Sequence, residues 1–429
     1  MLKYLWMVVQ DLFIAVTFAT WMHAMLGRLY GKKGRLFHGY SLGAGVLASV
    51  ALAAVKNNTR LIVSSHWNHY IYGVIIVLAV LFAVFTLLFG RRENARVGVG
   101  GTLTCLAGGA LSAVLIFYQL PGVLLYPFNF NTMGNGFWSA YYMTRLAGWA
   151  LGLLLLLVYS HRLYRCACHI TPYGVLPAVL NAGALSYAVY CFGRFFVPWI
   201  NRAKWLGWSV RYTDEAYGWI GDMMMFTAQY AMLFIWIAAA LAALMAVLFF
   251  LQNTRVTDPY ENSAQLRKLR ARNRHNRRTA AIVFAAVALM VLIMTVVKAY
   301  DTRVIELSAP ETYTVEEDKI LIPLDNVNDG HLHRFEYRTA NNVDVRWIVV
   351  RKPGSASYGV GLDACEVCGN AGYFERNGQV ICKRCDVVMN INTIGFKGGC
   401  NPIPLPYEVG DGTLTFKLSD IQAGEKEFK

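Results

Sequence analysis

The sequence predicts an α-helical polytopic membrane bundle of about eight spans over residues 1–300, followed over residues 301–429 by a small β-rich extracytoplasmic domain with a Cys-ligated metal ribbon. Three observations predict it. The 429 residues are 56% hydrophobic and only 15% charged, with a mean hydropathy of +0.38, too apolar for a soluble two-domain chain. Basic residues concentrate in alternate loops. After Tyr300 the long apolar runs give way to short alternating stretches, among which lie Cys365-Glu-Val-Cys368 and Cys382-Lys-Arg-Cys385.

The spans are residues 5–26, 37–55, 70–89, 99–118, 138–159, 175–196, 223–251 and 279–297. Each approaches or exceeds the roughly 20 apolar residues a membrane helix needs. The seventh run is uncharged from Met223 to Asn253, about 46 Å at helical rise, which implies tilt or extension beyond the bilayer. Small residues such as Gly148 and Gly152 let neighbouring helices approach closely.

Orientation follows from the loops. Those carrying Arg28, Lys32, Lys33 and Arg35, then Arg91, Arg92 and Arg96, then Arg162 and Arg165, then the segment 255–278 hold 17 basic residues, against 7 in the other loops and the amino terminus. The positive-inside rule places the 17 in the cytoplasm and both termini outside, as a multi-pass protein of a bacterial cytoplasmic (inner) membrane. The net charge of +14 therefore reflects topology and anionic lipid, and not nucleic acid. No small-residue cleavage site follows the first span, which argues against a signal peptide. Trp67, Trp138, Trp199, Trp205, Trp208 and Trp219 suit an aromatic belt at the outer boundary.

Charged groups inside a bilayer are expensive and usually face a cavity or each other. Asp11 and Arg145 each lie about two turns into a span, at the same outer depth, and form a candidate membrane polar pair. It could fix helix register or belong to a cofactor or ion pocket. His66, His69, Asp222 and Lys298 share the outer half, whereas His23 lies towards the cytoplasm.

In the carboxyl-terminal part, residues 319–323, 331–338, 343–350 and 413–418 alternate as strands. The two Cys-x2-Cys pairs stand 13 residues apart, with Asn377-Gly378 between two short strand-like runs, the sequence of a tight hairpin. Such a ribbon brings Cys365, Cys368, Cys382 and Cys385 to one end, with the ligand arithmetic of a tetrahedral metal site. Two disulfides are the alternative. Cys400, after Gly398-Gly399, is a fifth or substitute ligand, and His331 and His333 are possible ligands sharing one strand face. Four thiolates suit zinc, iron or an iron–sulfur cluster.

Asp363-Ala-Cys-Glu-Val-Cys368, Gly372-Tyr373, Val380-Ile-Cys382, Asn390 and Gly398-Gly-Cys-Asn-Pro-Ile-Pro404 resemble the signature of a bacterial family of membrane iron–sulfur proteins, the ferredoxin-like membrane components of ferrous-iron uptake systems. The resemblance covers about residues 315–420 and includes all five cysteines of the domain. It implies an electron-transfer or iron-handling accessory, with iron or an iron–sulfur cluster as cofactor and a periplasmic iron-binding or redox protein and iron permease components as partners. A zinc-stabilised scaffold subunit and a transporter subunit are the alternatives.

Other motifs exclude more than they suggest. Gly27 to Gly34 lacks the Gly-Lys-Ser/Thr ending of a phosphate loop, and there is no hydrolase or kinase motif. Arg92-Glu93 lacks the second Glu three residues on that iron permeases carry, so the chain is not expected to be the permease itself. Cys166 and Cys168, near His161 and His169, have no second Cys pair at metal spacing, and Cys105 and Cys191 are expected to pack as small apolar residues.

Overall fold

The computed structural model of the chain describes residues 1–59, 62, 64–89, 98–129, 138–195, 218–303, 306–376, 378–385 and 387–429. Trp199, Trp205, Trp208, Arg91, Arg92, Arg96 and Asn377 lie outside the described residues. The described residues up to Thr302 form one compact unit, and those from Arg303 to Lys429 a second.

The first unit is helical: α1 (Leu2–Asn58), α2 (Ser64–Phe89), α3 (Val99–Leu125), α4 (Ala140–His169), α5 (Val175–Phe195), α6 (Gly218–Gln229), α7 (Ala231–Gln252) and α8 (Ser263–Asp301). Among the described residues, all but α6 are long and apolar enough to cross a membrane, seven helices for eight apolar stretches. The difference lies at Gly31, whose φ of 61° and ψ of −138° interrupt α1. A straight helix would hold residues 23 and 38 about 22 Å apart. Instead the Nδ1 atoms of His23 and His38 are 3.2 Å apart, so the chain doubles back and α1 carries the first two stretches. Only glycine adopts that backbone conformation without a Cβ clash.

The long seventh run also divides. The helix breaks at Tyr230 (φ −107°, ψ 30°), leaving the 22 residues of α7 as the spanning piece and the 12 residues of α6 before it. Twenty-two residues already cover about 33 Å, the thickness of a bilayer core, so the turns beyond that length belong to a separate helix set off by the break. The basic segment before the last span is helical from Ser263 onward and continuous with that span, capped by the Asn262 side chain accepting from the Gln265 N–H at 2.8 Å.

The unit is built around α1, which packs along α3 and α4 with Phe13, Phe18, Trp21 and Met22 buried. Gly148 and Gly152 permit this approach: a Cβ on Gly148 would collide with the Met1 carbonyl, and one on Gly152 would lie 2.9 Å from the Val8 side chain.

The second unit contains three antiparallel sheets. One has the order β1 (Thr314–Glu316), β2 (Lys319–Pro323), β9 (Thr413–Lys417), β8 (Glu408–Gly410). The others are β3 (His333–Arg338), β4 (Asp344–Arg351), β5 (Tyr358–Leu362), and the hairpin β6 (Tyr373–Arg376), β7 (Gln379–Cys382). Gly378 at the hairpin turn has the positive φ, 71°, that this tight connection requires. Strand β4 positions the site because it is buried on both faces. Val345, Trp347 and Val349 enter a core with Phe335, Ile320 and Phe416, while Ile348 and Val350 enter a second core that contains Cys365, Cys368 and Cys382. The cysteine loops thus rest on the back of the domain's central strand.

Candidate metal centre

Both Cys-x2-Cys loops turn their amides towards sulfur. The Cys368 N–H donates to the Cys365 thiol sulfur at 3.1 Å, and Gly369, at φ 65°, closes the loop through paired backbone bonds with Cys365. In the second loop the Cys382 sulfur accepts from the amides of Arg384 and Cys385, and the Cys385 sulfur from that of Val387. Hydrogen bonds to a sulfur favour its thiolate form. The hairpin register pairs Tyr373 with Cys382 and fixes the second loop to β6.

Cys400 is brought in by an approach that only a glycine allows. The segment 402–404 runs against residues 361–364, with Leu362 N–H donating to the Ile403 carbonyl at 2.7 Å and Ile403 N–H to the Ala364 carbonyl at 3.0 Å. A Cβ on Gly361 would lie 2.7 Å from the Pro402 side chain. The Tyr373 hydroxyl donates to the Cys400 carbonyl at 2.7 Å.

The outcome is five thiols in two overlapping triads. Cys365, Cys368 and Cys382 have sulfurs within 4.8 Å of one another, as do Cys368, Cys385 and Cys400, and Cys368 is common to both. The Cys385 and Cys400 sulfurs are 3.7 Å apart. Thiolates about 2.3 Å from a tetrahedral metal lie roughly 3.8 Å from each other, so these spacings suit a thiophilic ion. All nine cysteines are free thiols. Burial pushes the Cys382 and Cys400 thiols up, Cys400 to about 11, and Cys368 well above the usual thiol range. Burial also acts on Cys385, but the Val387 amide and the neighbouring thiols outweigh it and hold that thiol below its ordinary value. Thiolates gathered in so dry a place need a cation to stay ionised. Soft donors, amide-to-sulfur bonds and burial all fit a bound metal.

The histidines are placed elsewhere. His331 Nδ1 contacts Glu375 Oε1 at 2.8 Å, while His333 is held between Glu311, at 3.0 Å, and Asp329, at 2.8 Å. Both rings are engaged with carboxylates, and neither is among the described residues grouped for a metal. Asp11 and Arg145 are joined through two tyrosines. Asp11 accepts from the Tyr126 hydroxyl, the Tyr126 ring meets the Tyr4 ring edge-on at 5.6 Å, and the Arg145 guanidinium lies 5.8 Å from the centre of the Tyr4 ring. Asp11 also lines a polar cavity of about 360 Å³ with Gln10, Lys56, Asn68 and Gln119.

One feature of the site is not evident from spacing. Arg334 and Asp363, 1% and 0% exposed, form a buried ion pair, with Asp363 two residues before Cys365. Arg334 also donates to the Ser308 carbonyl and hydroxyl and to the Tyr373 carbonyl, and Asp363 accepts from the Tyr373 N–H at 2.8 Å. The pair therefore ties both cysteine loops to β3. Arg334 alternates along β3 with Glu336 and Arg338, so no signal in the sequence sets it apart from them.

Fold and site together define a multi-span membrane protein with a β-rich unit that gathers five thiols for a metal. Within that class, residues 327–428 match the family described as membrane iron-sulfur containing protein FtrD-like, a stretch that includes all five cysteines, Arg334 and Asp363. No curated protein and no solved structure matches the chain. The family match points to a membrane protein concerned with iron.

Proposed function

We propose that the chain is an electron-transfer or iron-handling accessory of bacterial iron uptake, anchored in the inner membrane, with its thiol centre on the extracytoplasmic side. The observation that carries this reading is the convergence of five cysteines from three loops inside a domain matching an iron–sulfur family. Cys365, Cys368, Cys382, Cys385 and Cys400 would hold the metal, and iron bound there supplies one-electron exchange. The protein's own residues do the rest. Amide bonds to sulfur favour the ligating thiolates, the second core holds the loops that carry them, and Arg334 with Asp363 fixes the spacing between the loops.

The expected partner face lies beside the second loop. Arg346, Lys383 and Arg384 line an open basic concavity, and Arg384 donates to the Cys368 carbonyl at 3.2 Å. Such a surface suits an acidic face on a periplasmic iron-binding or redox protein, or on a permease component. The direct test is uptake of labelled ferrous iron in cells lacking the chain. Uptake should fall, and should be restored by the intact chain but not by Cys368→Ser. Full restoration by Cys368→Ser would refute the reading and leave a scaffold or transporter role, in which the thiols serve at most a structural zinc.

A further inference from the structure

A buried hydrogen-bond chain in the membrane unit sets the protonation of one imidazole. The Ser112 hydroxyl donates to the Gly108 carbonyl at 2.9 Å, so towards His38 Nε2, 3.0 Å away, it accepts. His38, fully buried, then carries its proton on Nε2 and offers a bare Nδ1 to His23 Nδ1 at 3.2 Å. His23 must donate from Nδ1, which leaves its Nε2 with a free lone pair. Imidazoles that ligate a metal are held in this way, with the second nitrogen bonded to a group that is itself bonded.

His23 lines a groove of about 560 Å³ between α1, α3 and α4. Its walls are apolar, among them Leu12, Val16, Ile116, Leu153 and Leu157, and a second imidazole, His161, lines it from α4. The Thr20 and Ser160 hydroxyls, 2.8 Å apart, join α1 to α4 three residues before His23 and one residue before His161, and both histidines line the groove below this link. At this end the Arg35 side chain lies beside His23 and Tyr164.

We propose that this groove binds haem, with His23 Nε2 as an axial ligand and His161 as the candidate for the opposite face. Iron in a tetrapyrrole takes imidazole, the macrocycle suits apolar walls, and its carboxylates would meet Arg35. A bare ion would need three or more close ligands, and the groups of that kind among the described residues are all cysteines. A lipid chain could fill the groove but has no use for an imidazole lone pair wired from behind. The proposal is independent of the thiol centre.

The test is the Soret band of the full chain, purified in detergent from cells supplied with a haem precursor. His23→Gln can still donate to His38 and so preserves the packing, but it should lower bound haem about tenfold or more. His161→Ala should retain haem and convert a low-spin spectrum to high-spin, whereas Cys368→Ser should leave the band unchanged. Three outcomes would overturn the site: a wild-type chain without haem that also gives no Soret shift on titration with hemin, a His23→Gln chain that keeps the band, or a groove carrying only lipid by native mass spectrometry. A His161→Ala spectrum identical to wild type would overturn the second ligand.

Discussion

Arg334 Nε lies 2.9 Å from Asp363 Oδ2 in a pair shielded from solvent on both sides, and the hydrogen bonds of both residues to the Tyr373 backbone join β3 to both cysteine loops. Removing Asp363 leaves the buried Arg334 without its counter-charge, and removing Arg334 leaves Asp363 only the partly exposed Arg346, 3.4 Å away; loss of one partner of a buried pair costs about 3–5 kcal/mol. Arg334→Met and Asp363→Asn should therefore each destabilise the carboxyl-terminal unit by that order. The double substitution should cost clearly less than the sum, because neither charge is then orphaned. Denaturant titrations of the full chain, followed by protease sensitivity of the unit, measure both; strict additivity would show that the two residues act separately.

The overlapping triads rank the cysteines. Cys368 belongs to both, so Cys368→Ser should cause the greatest loss of bound metal. Cys365→Ser and Cys382→Ser should resemble each other, as should Cys385→Ser and Cys400→Ser. Metal content per chain for the five variants checks the order, and a Cys400→Ser chain indistinguishable from wild type would remove Cys400 from the site.

Two titrations should oppose each other with pH. The hydrogen bond from His331 to Glu375 raises the imidazole above its ordinary value of 6.5. A raised folded-state value contributes stability that is complete below 6.5 and disappears as pH rises through the folded value. The thermal midpoint should therefore drop slightly across that window in wild type and less in His331→Gln. Metal retention runs the other way, since thiolates must be unprotonated to ligate, and should be lost as the solution is acidified. A wild-type midpoint independent of pH between 6 and 8 would contradict the first part.

The tyrosine link between Asp11 and Arg145 makes a further claim. Tyr126→Phe removes the hydroxyl bonded to Asp11, and Tyr4→Leu removes the ring beneath Arg145. Each should lower the thermal stability of the detergent-solubilised chain by roughly 1–2 kcal/mol, within the range of buried hydrogen bonds and cation–π contacts. Asp11→Asn in the Tyr126→Phe background should then add little. A full additional loss would show that Asp11 relies on another partner.

Much of this was legible in the sequence because membranes impose length and zinc-like sites impose spacing. Apolar length marked every spanning helix, and alternation marked β2, β3, β4 and β9. The reversal between the first two apolar stretches was legible from the basic residues between them, but not that the backbone stays helical up to the single glycine Gly31. Cys400 could not be assigned from spacing, since its position depends on Gly361, 39 residues earlier, accepting Pro402 at close range. The spacing of His331 and His333 gives them one shared face, open either to a metal or to solvent, but not their partners, Glu375, Glu311 and Asp329, which come from three separate segments. Arg334 shares the alternating positions of Glu336 and Arg338 along β3, and its partner lies 29 residues on, so spacing does not single it out.

Both termini are expected outside the cytoplasm, from the division of 17 basic residues against 7. Reporter fusions after Tyr300 and within residues 267–278 should report opposite sides of the membrane. Identical sides would overturn the orientation.

The most direct test of the thiol centre is metal analysis of the full chain purified without oxygen, combined with absorption and electron paramagnetic resonance spectra before and after reduction. Iron bound in proportion to protein, with a spectrum that changes on reduction and is absent from Cys368→Ser, is the expected result. A colourless, redox-silent chain containing only zinc, or one in which Cys365 is bonded to Cys368 and Cys382 to Cys385, would contradict it.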